Sequence, residues 1–163
     1  MSTNPYAPPK SVVADIETRA DSPLLWNPNA AANWSLLFSP AFGAFLHMKN
    51  WEALGEPAKA AAAKAWAIAA VSILIALPLL VVLAPGMRVL QSLSSLLGIV
   101  LLISWYASSG RPQVRYVKER FGNSYPRRGW SAPLLIALAA SFGYFIIVGI
   151  LGALLAGMAA AGK

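Results

Sequence analysis

The chain has 163 residues, enough for one compact unit; 58% are hydrophobic and the mean hydropathy is +0.59. Only 12% are charged, about half the usual globular share, which excludes an ordinary soluble domain and leaves an all-α integral membrane protein. The formal charge of +7 reads, in such a chain, as topology and headgroup contact before nucleic acid.

Residues 1–25 mix prolines with charges of both signs, and with no helical period they are expected to form a solvated, polyproline-like tail or a docking peptide. They lack the apolar core of a signal peptide, so the N-terminus is expected to stay unprocessed. The absence of cysteine removes disulfides, thiolate metal sites and sulfur-linked lipid anchors.

Asn27-Pro28 then opens a helix, with Asn as N-cap and Pro at the first helical position, and Ser39-Pro40 repeats that grammar. Two constructions fit 28–54. One is a single kinked helix from Pro28 to about Met48, giving a fourth crossing. The other is a re-entrant or interfacial pair, 28–38 and 40–54, with Ser39 capping the second half and Gly55 ending it. Each half measures only about 15–23 Å, too short to cross alone, and Trp26, Trp34 and Trp51 suit headgroup depth. Proline grammar favours the pair.

Three plainer spans follow. A helix over 57–84 starts at Pro57, carries Lys59 and Lys64 in a short amphipathic piece, and enters lipid at Trp66. Its charge-free run from Trp66 to Ala84 is about 28 Å long, and Pro78 should bend rather than end it, because a neighbouring helix can satisfy the freed carbonyl. Ala84-Pro85-Gly86 reads as a turn, 87–107 as the next span and 131–159 as the last. Residues 26–163 thus form one helical membrane domain: three transmembrane helices plus the kinked or re-entrant aromatic segment, with four crossings as the alternative.

Between the last two spans, 108–130 holds Arg111, Arg115, Lys118, Arg120, Arg127 and Arg128 against Glu119 alone. The positive-inside rule makes this loop cytoplasmic, the Pro85-Gly86 turn and C-terminus external, and the N-terminus cytoplasmic. Eleven Lys and Arg then lie inside against two outside; a crossing at 28–48 would make it nine against four. Pro112 is expected to begin a short helix that Gly122 ends, its apolar side (Val114, Val117, Phe121) flanked by cations as on an anionic membrane face. With Trp130 as an anchor, Arg111, Arg115, Lys118, Arg120, Arg127 and Arg128 are the candidate lipid-headgroup contacts.

Small or polar residues recur at helical spacing: Ser35, Ser39, Gly43 and His47; Gln91, Ser94, Ser95 and Gly98; Gly149, Ala153 and Gly157. They suit close helix packing within the chain or between copies of it, and the first stripe could also line a permeation path. His47 is either a pH-sensitive group at the membrane surface or an interfacial residue bonded to headgroup or backbone.

Catalysts and ion-coupled carriers need ionisable groups at depth, whereas all six carboxylates (Asp15, Glu17, Asp21, Glu52, Glu56, Glu119) fall outside the apolar runs. One histidine builds no zinc motif, and Ser108-Ser109-Gly110 with His47 makes a poor dyad. No catalytic, metal or cofactor residue is therefore expected, and no enzymatic activity. The expectation is a protein acting through anionic lipids, a homo-oligomer or an envelope-protein partner, without nucleic acid. A small oligomeric transport or channel component and an immunity protein against a toxin are the alternatives.

Three blocks carry a resemblance: NPYAPP at 4–9, WNPNAAANWSLLFSPAFGAFLHMKNWEALGEP at 26–57 and YVKERFGNSYPRRGW at 116–130. Together they resemble a group of small uncharacterised bacterial inner-membrane proteins. The resemblance covers most of the chain and implies a multi-pass protein of the bacterial cytoplasmic membrane, with no activity or functional residue to carry over.

Overall fold

The computed structural model describes the backbone of residues 22–83 and 88–161, and their side chains except at 82–95 and 159. The expected tail up to residue 21 and the Ala84-Pro85-Gly86 turn lie outside it. The elements among the described residues are all helices: α1 (Pro28–Phe38), α2 (Pro40–Ala53), α3 (Pro57–Leu83), α4 (Arg88–Trp105), a π-helical turn (Tyr106–Gly110), α5 (Arg111–Phe121) and α6 (Ser131–Ala161).

Prolines start the first three helices. At α1 the Asn27 side chain accepts from the N–H groups of Asn29 and Ala30 at 3.0 and 3.2 Å, satisfying donors that the first turn leaves free. The stretch 28–54 is two helices, broken at Ser39. Pro28 meets His47 and Ser35 meets Gly43, so paired residue numbers sum to nearly one value, as they must in an antiparallel hairpin. The expected Ser39 cap is corrected: its side chain makes no capping bond, and its φ of 89° and ψ of 160° occupy a region that favours glycine. What holds the break is backbone, with Ser39 N–H donating to Ser35 O at 3.0 Å and Phe42 N–H to Ser39 O at 3.2 Å.

That break also revises the Ser35/Ser39/Gly43/His47 stripe. Instead of running down one continuous helix, Ser35 and Gly43 face each other across the hairpin. A Cβ on Gly43 would collide with Ser35 Oγ and sit 2.5 Å from the Trp105 ring, so glycine sets this close approach. Trp34, Phe38 and Phe42 form an aromatic ladder beside it, with centroids 6.0 and 5.4 Å apart.

At the end of α2, Gly55 takes φ 71°; Glu56 N–H bonds Trp51 O and Gly55 N–H bonds Glu52 O, closing a Schellman turn. The chain reverses, and α3 packs back along α2. Met48 and Trp51 meet Ala60 and Ala63, Ala44 lies near Trp66 and Ala67, and Ser39 and Pro40 share a cavity wall with Leu74 and Pro78.

Two helices are long and apolar enough to cross a membrane: Pro57–Val81 and Ser131–Met158, with mean hydropathies of 2.2 and 2.5. Almost nothing in these stretches is buried, and residues such as Ile136, Phe145 and Met158 are at least 70% exposed. Helices apolar on every face and uncovered by protein are candidates to cross a membrane. The third expected crossing corresponds to α4, 18 residues long, whose first half has no described side chains. The helix does not stop at 107: α4, the π-turn and α5 run without interruption from Arg88 to Phe121. Pro112 lacks the N–H that Ser108 O would accept, and the wider turn just before it absorbs the mismatch.

The core sits at one end of the long helices. Leu25, Val117 and Tyr125 form one buried cluster, Met48, Trp51, Ala60 and Ala63 a second, and Ala32, Ala44 and Trp105 a third. This cap comprises the hairpin, the start of α3, α5 and the segment after it.

Pro78 behaves as its sequence context requires. It removes the donor for Leu74 O, and the Tyr144 hydroxyl of α6 donates to that carbonyl at 3.2 Å. Tyr144→Phe should therefore cost about 1 kcal/mol in detergent unfolding measurements. In a Pro78→Ala background, where the backbone bond is restored, the same substitution should cost nothing measurable.

Candidate membrane-surface site

The cap is held by amides. The Asn50 side chain on α2 reads both backbone groups of Trp26: Oδ1 accepts its N–H at 3.0 Å and Nδ2 donates to its carbonyl at 2.8 Å. Nδ2 also reaches Gln113 Oε1 on α5 at 3.3 Å, and Gln113 Nε2 donates to His47 O at 2.8 Å. Asn50 and Gln113 are both buried, so these bonds satisfy groups that would be costly alone.

His47 completes the cluster. Its Nε2 lies 3.0 Å from the Pro28 carbonyl, which can only accept, so Nε2 carries a proton. Burial pushes its pKa down to about 4, against smaller raising effects from the Pro28 and Ser109 backbones. Nδ1 has no hydrogen-bond partner, nor has Trp105 Nε1, and the two rings pack at 5.4 Å between centroids. Of the two expectations for His47, the geometry gives the backbone-bonded residue, buried rather than interfacial.

The segment after α5 is folded onto the one before α1. Leu25 forms a parallel bridge with Arg127: Leu25 N–H donates to Pro126 O at 3.2 Å, and Arg128 N–H to Leu25 O at 2.8 Å. Trp26 Nε1 donates to Gly129 O at 3.0 Å, and Arg128 Nε to Leu24 O at 3.0 Å, with its guanidinium 4.6 Å from the Trp26 ring.

This sorts the seven candidate headgroup residues. Arg128 is a structural brace. Arg120 donates to the Tyr116 hydroxyl at 2.7 Å, which donates in turn to Glu56 at 3.1 Å. Together with Lys59, that bond holds the Glu56 carboxyl below its usual range. Arg127 lies over the Tyr125 ring at 5.4 Å; Lys118 is exposed and Trp130 half-buried. Arg111 and Arg115 line a groove of about 460 Å³ with Trp51, Lys59, Tyr116 and Glu119. Lys59 sits 4.8 Å from the Trp51 ring and 4.5 Å from the Tyr116 ring. Its place in the basic surface was not foreseen from sequence, since it is 52 positions before Arg111; an aromatic at 51 and a cation at 59 flanking the Gly55 reversal were the available signal.

The candidate packing residues divide as well. Ser35, Ser39 and Gly43 meet at the hairpin. Gly98, Gly149, Ala153 and Gly157 are exposed, and a Cβ added at any of the three glycines would meet nothing within 4 Å among the described residues. The side chains of Gln91 and Ser95 lie outside the described residues. Each described carboxylate is paired with a cation: Glu52 with Lys49, Glu56 with Lys59 and Glu119 with Arg115, at 2.8, 3.3 and 3.4 Å.

Two outcomes test the clamp. Asn50→Ala strands the Trp26 backbone and Gln113, so the cap should lose about 3 kcal/mol. Hydrogen exchange should quicken at Leu25 and Arg128 while α6 stays unchanged. Separately, the low folded pKa of His47 means the unfolded chain takes up the proton first. Stability should be complete above about 6.5, the unperturbed value, and fall as pH drops toward about 4, by about 3 kcal/mol in all. Denaturation at stepped pH should show that slope, and His47→Gln should remove it.

Compared with protein-family models, curated proteins and solved structures, the chain matches none.

Proposed function

We propose that this chain is a multi-pass protein of the bacterial inner membrane, non-enzymatic, which presents a rigid basic cap to anionic lipid headgroups or to an envelope protein seated there. The observation that carries this reading is placement. Arg111, Arg115, Lys118, Arg120 and Arg127 all lie on one packed unit at the end of two bare apolar helices. In this reading α3, α4 and α6 cross, and the cap and N-terminus are cytoplasmic while the C-terminus is external.

The hairpin then enters the hydrocarbon without crossing it. Its tip shares a cavity with Leu74 and Pro78, 8 and 12 residues beyond Trp66, or about 12–18 Å into a core about 30 Å thick. The ion pairing of the described carboxylates at the cap surface supports a contact role rather than proton or bond chemistry.

A transport role has one observation in its favour, a cavity of about 520 Å³ at the hairpin tip reaching Ser35, Ser39 and Tyr144. Its remaining lining is apolar, and the Ser35 and Tyr144 hydroxyls are spent on backbone carbonyls, which favours the contact role.

Topology is checked by labelling single cysteines in sealed cells, a clean background in a chain without native cysteine. Thr3→Cys and Asn123→Cys should be protected from an impermeant reagent and Ala161→Cys labelled; labelling at position 3 would overturn the orientation. In nanodiscs, replacing zwitterionic by anionic lipid should raise the melting temperature of the cap, and high salt should erase the gain. No difference between the two lipids would sink the headgroup role.

A further inference from the structure

We infer that the groove between α2, α3 and α5 is a binding site for the phosphate of a single anionic phospholipid headgroup, one bearing a glycerol-like hydroxyl. The inference rests on the membrane orientation proposed above and adds a defined site to it.

Depth comes first. Along the continuous α4–α5 helix, Ile103 and Tyr106 are exposed and apolar or amphipathic, and Arg111 and Arg115 follow 5 and 9 residues after Tyr106, about 8 and 14 Å farther out. On α3, Lys59 precedes Trp66 by seven residues, about 10 Å. Two independent helices thus place their cations at one level, just outside the apolar run, where lipid phosphates lie.

Charge comes second. Among the described residues Arg111 has no carboxylate partner, and Arg115 meets Glu119 only at 3.4 Å. Lys59, Arg111 and Arg115 line the groove against Glu119 alone, a positive surplus that a phosphate offsets, while Glu56 lies outside the lining and is held by Lys59 and Tyr116. A guanidinium presents paired donors that match two phosphate oxygens, and a lysine adds a compact third contact.

Shape comes third. The groove is walled by Trp51 and Tyr116, whose faces hold Lys59 in place rather than leaving it to sweep through solvent. Glu119, a lining residue 67% exposed at its side chain, adds an acceptor that a headgroup hydroxyl can fill. A headgroup ending in trimethylammonium offers Glu119 no donor and adds a cation to a groove that already holds three.

The test uses the full chain in a nonionic detergent, titrated with dihexanoyl phosphatidylglycerol, dihexanoyl phosphatidylcholine and glycerol 3-phosphate, with melting temperature as the readout. Phosphatidylglycerol alone should stabilise it. The half-saturating concentration should rise tenfold or more in Arg111→Gln and Arg115→Gln and stay unchanged in Lys49→Gln, an equal loss of charge outside the groove. Native mass spectrometry should count one retained lipid, lost in the first two variants, which separates lost binding from lost folding. Equal weakening by Lys49→Gln would overturn the groove and leave the basic-cap role standing. Glycerol 3-phosphate acting as strongly as the lipid would overturn a lipid ligand. No preference for phosphatidylglycerol over phosphatidylcholine would overturn both the groove and the headgroup role.

Discussion

One side chain, Asn50, ties the parts of the cap to one another. Its amide occupies the donor and the acceptor of Trp26 and still reaches Gln113, so it joins the segment before α1, the hairpin and α5 at a single buried point. Hydrophobic burial around it is modest in extent, built from small clusters rather than one large core. Apolar clusters of that kind fix proximity without fixing register; a pair of directional bonds to one residue's backbone fixes both.

From that point the rest follows mechanically. With Trp26 held, its indole reaches Gly129 and Leu25 pairs with Arg127, so the basic segment after α5 becomes part of the folded unit. With Gln113 held, α5 is oriented so that Val117 faces inward and Arg111 and Arg115 face the groove. The surface charge is therefore positioned by buried neutral amides, a sound arrangement where charged groups would carry a heavy desolvation cost.

Much of the architecture was legible in the sequence because it depends on residues that act alone. Proline cannot sit inside a helix without cost, so Pro28, Pro40 and Pro57 marked starts; Gly55 and Gly122 marked ends because their positive φ suits glycine. The apolar runs marked the two long helices. What stayed hidden depends on residues that meet across the chain. Asn50 and Gln113 are 63 positions apart, and neither has a local pattern that announces a partner. Arg128 looks like its neighbour Arg127 until the fold places it over Trp26. Ser39 read as a cap from residue type alone, whereas its backbone angles are set by the hairpin around it. The continuity of α4 into α5 was concealed by Pro112, usually a beginning and here accommodated by a wider turn.

The long separations within the cap also have a consequence for biosynthesis. The Trp26 indole and the Gly129 carbonyl are 103 residues apart, so at translation rates of about 5–20 residues per second the first waits about 5–20 s for the second to be made. Throughout that interval the hairpin is on the nascent chain with Asn50 unsatisfied toward α5, while α3 and α4 are still being made. Its helices, 11 and 14 residues long, are too short to be inserted as spans in their own right. The hairpin is thus made well before the segments that lock it, and its docking reports on the correct placement of α5 and the segment after it.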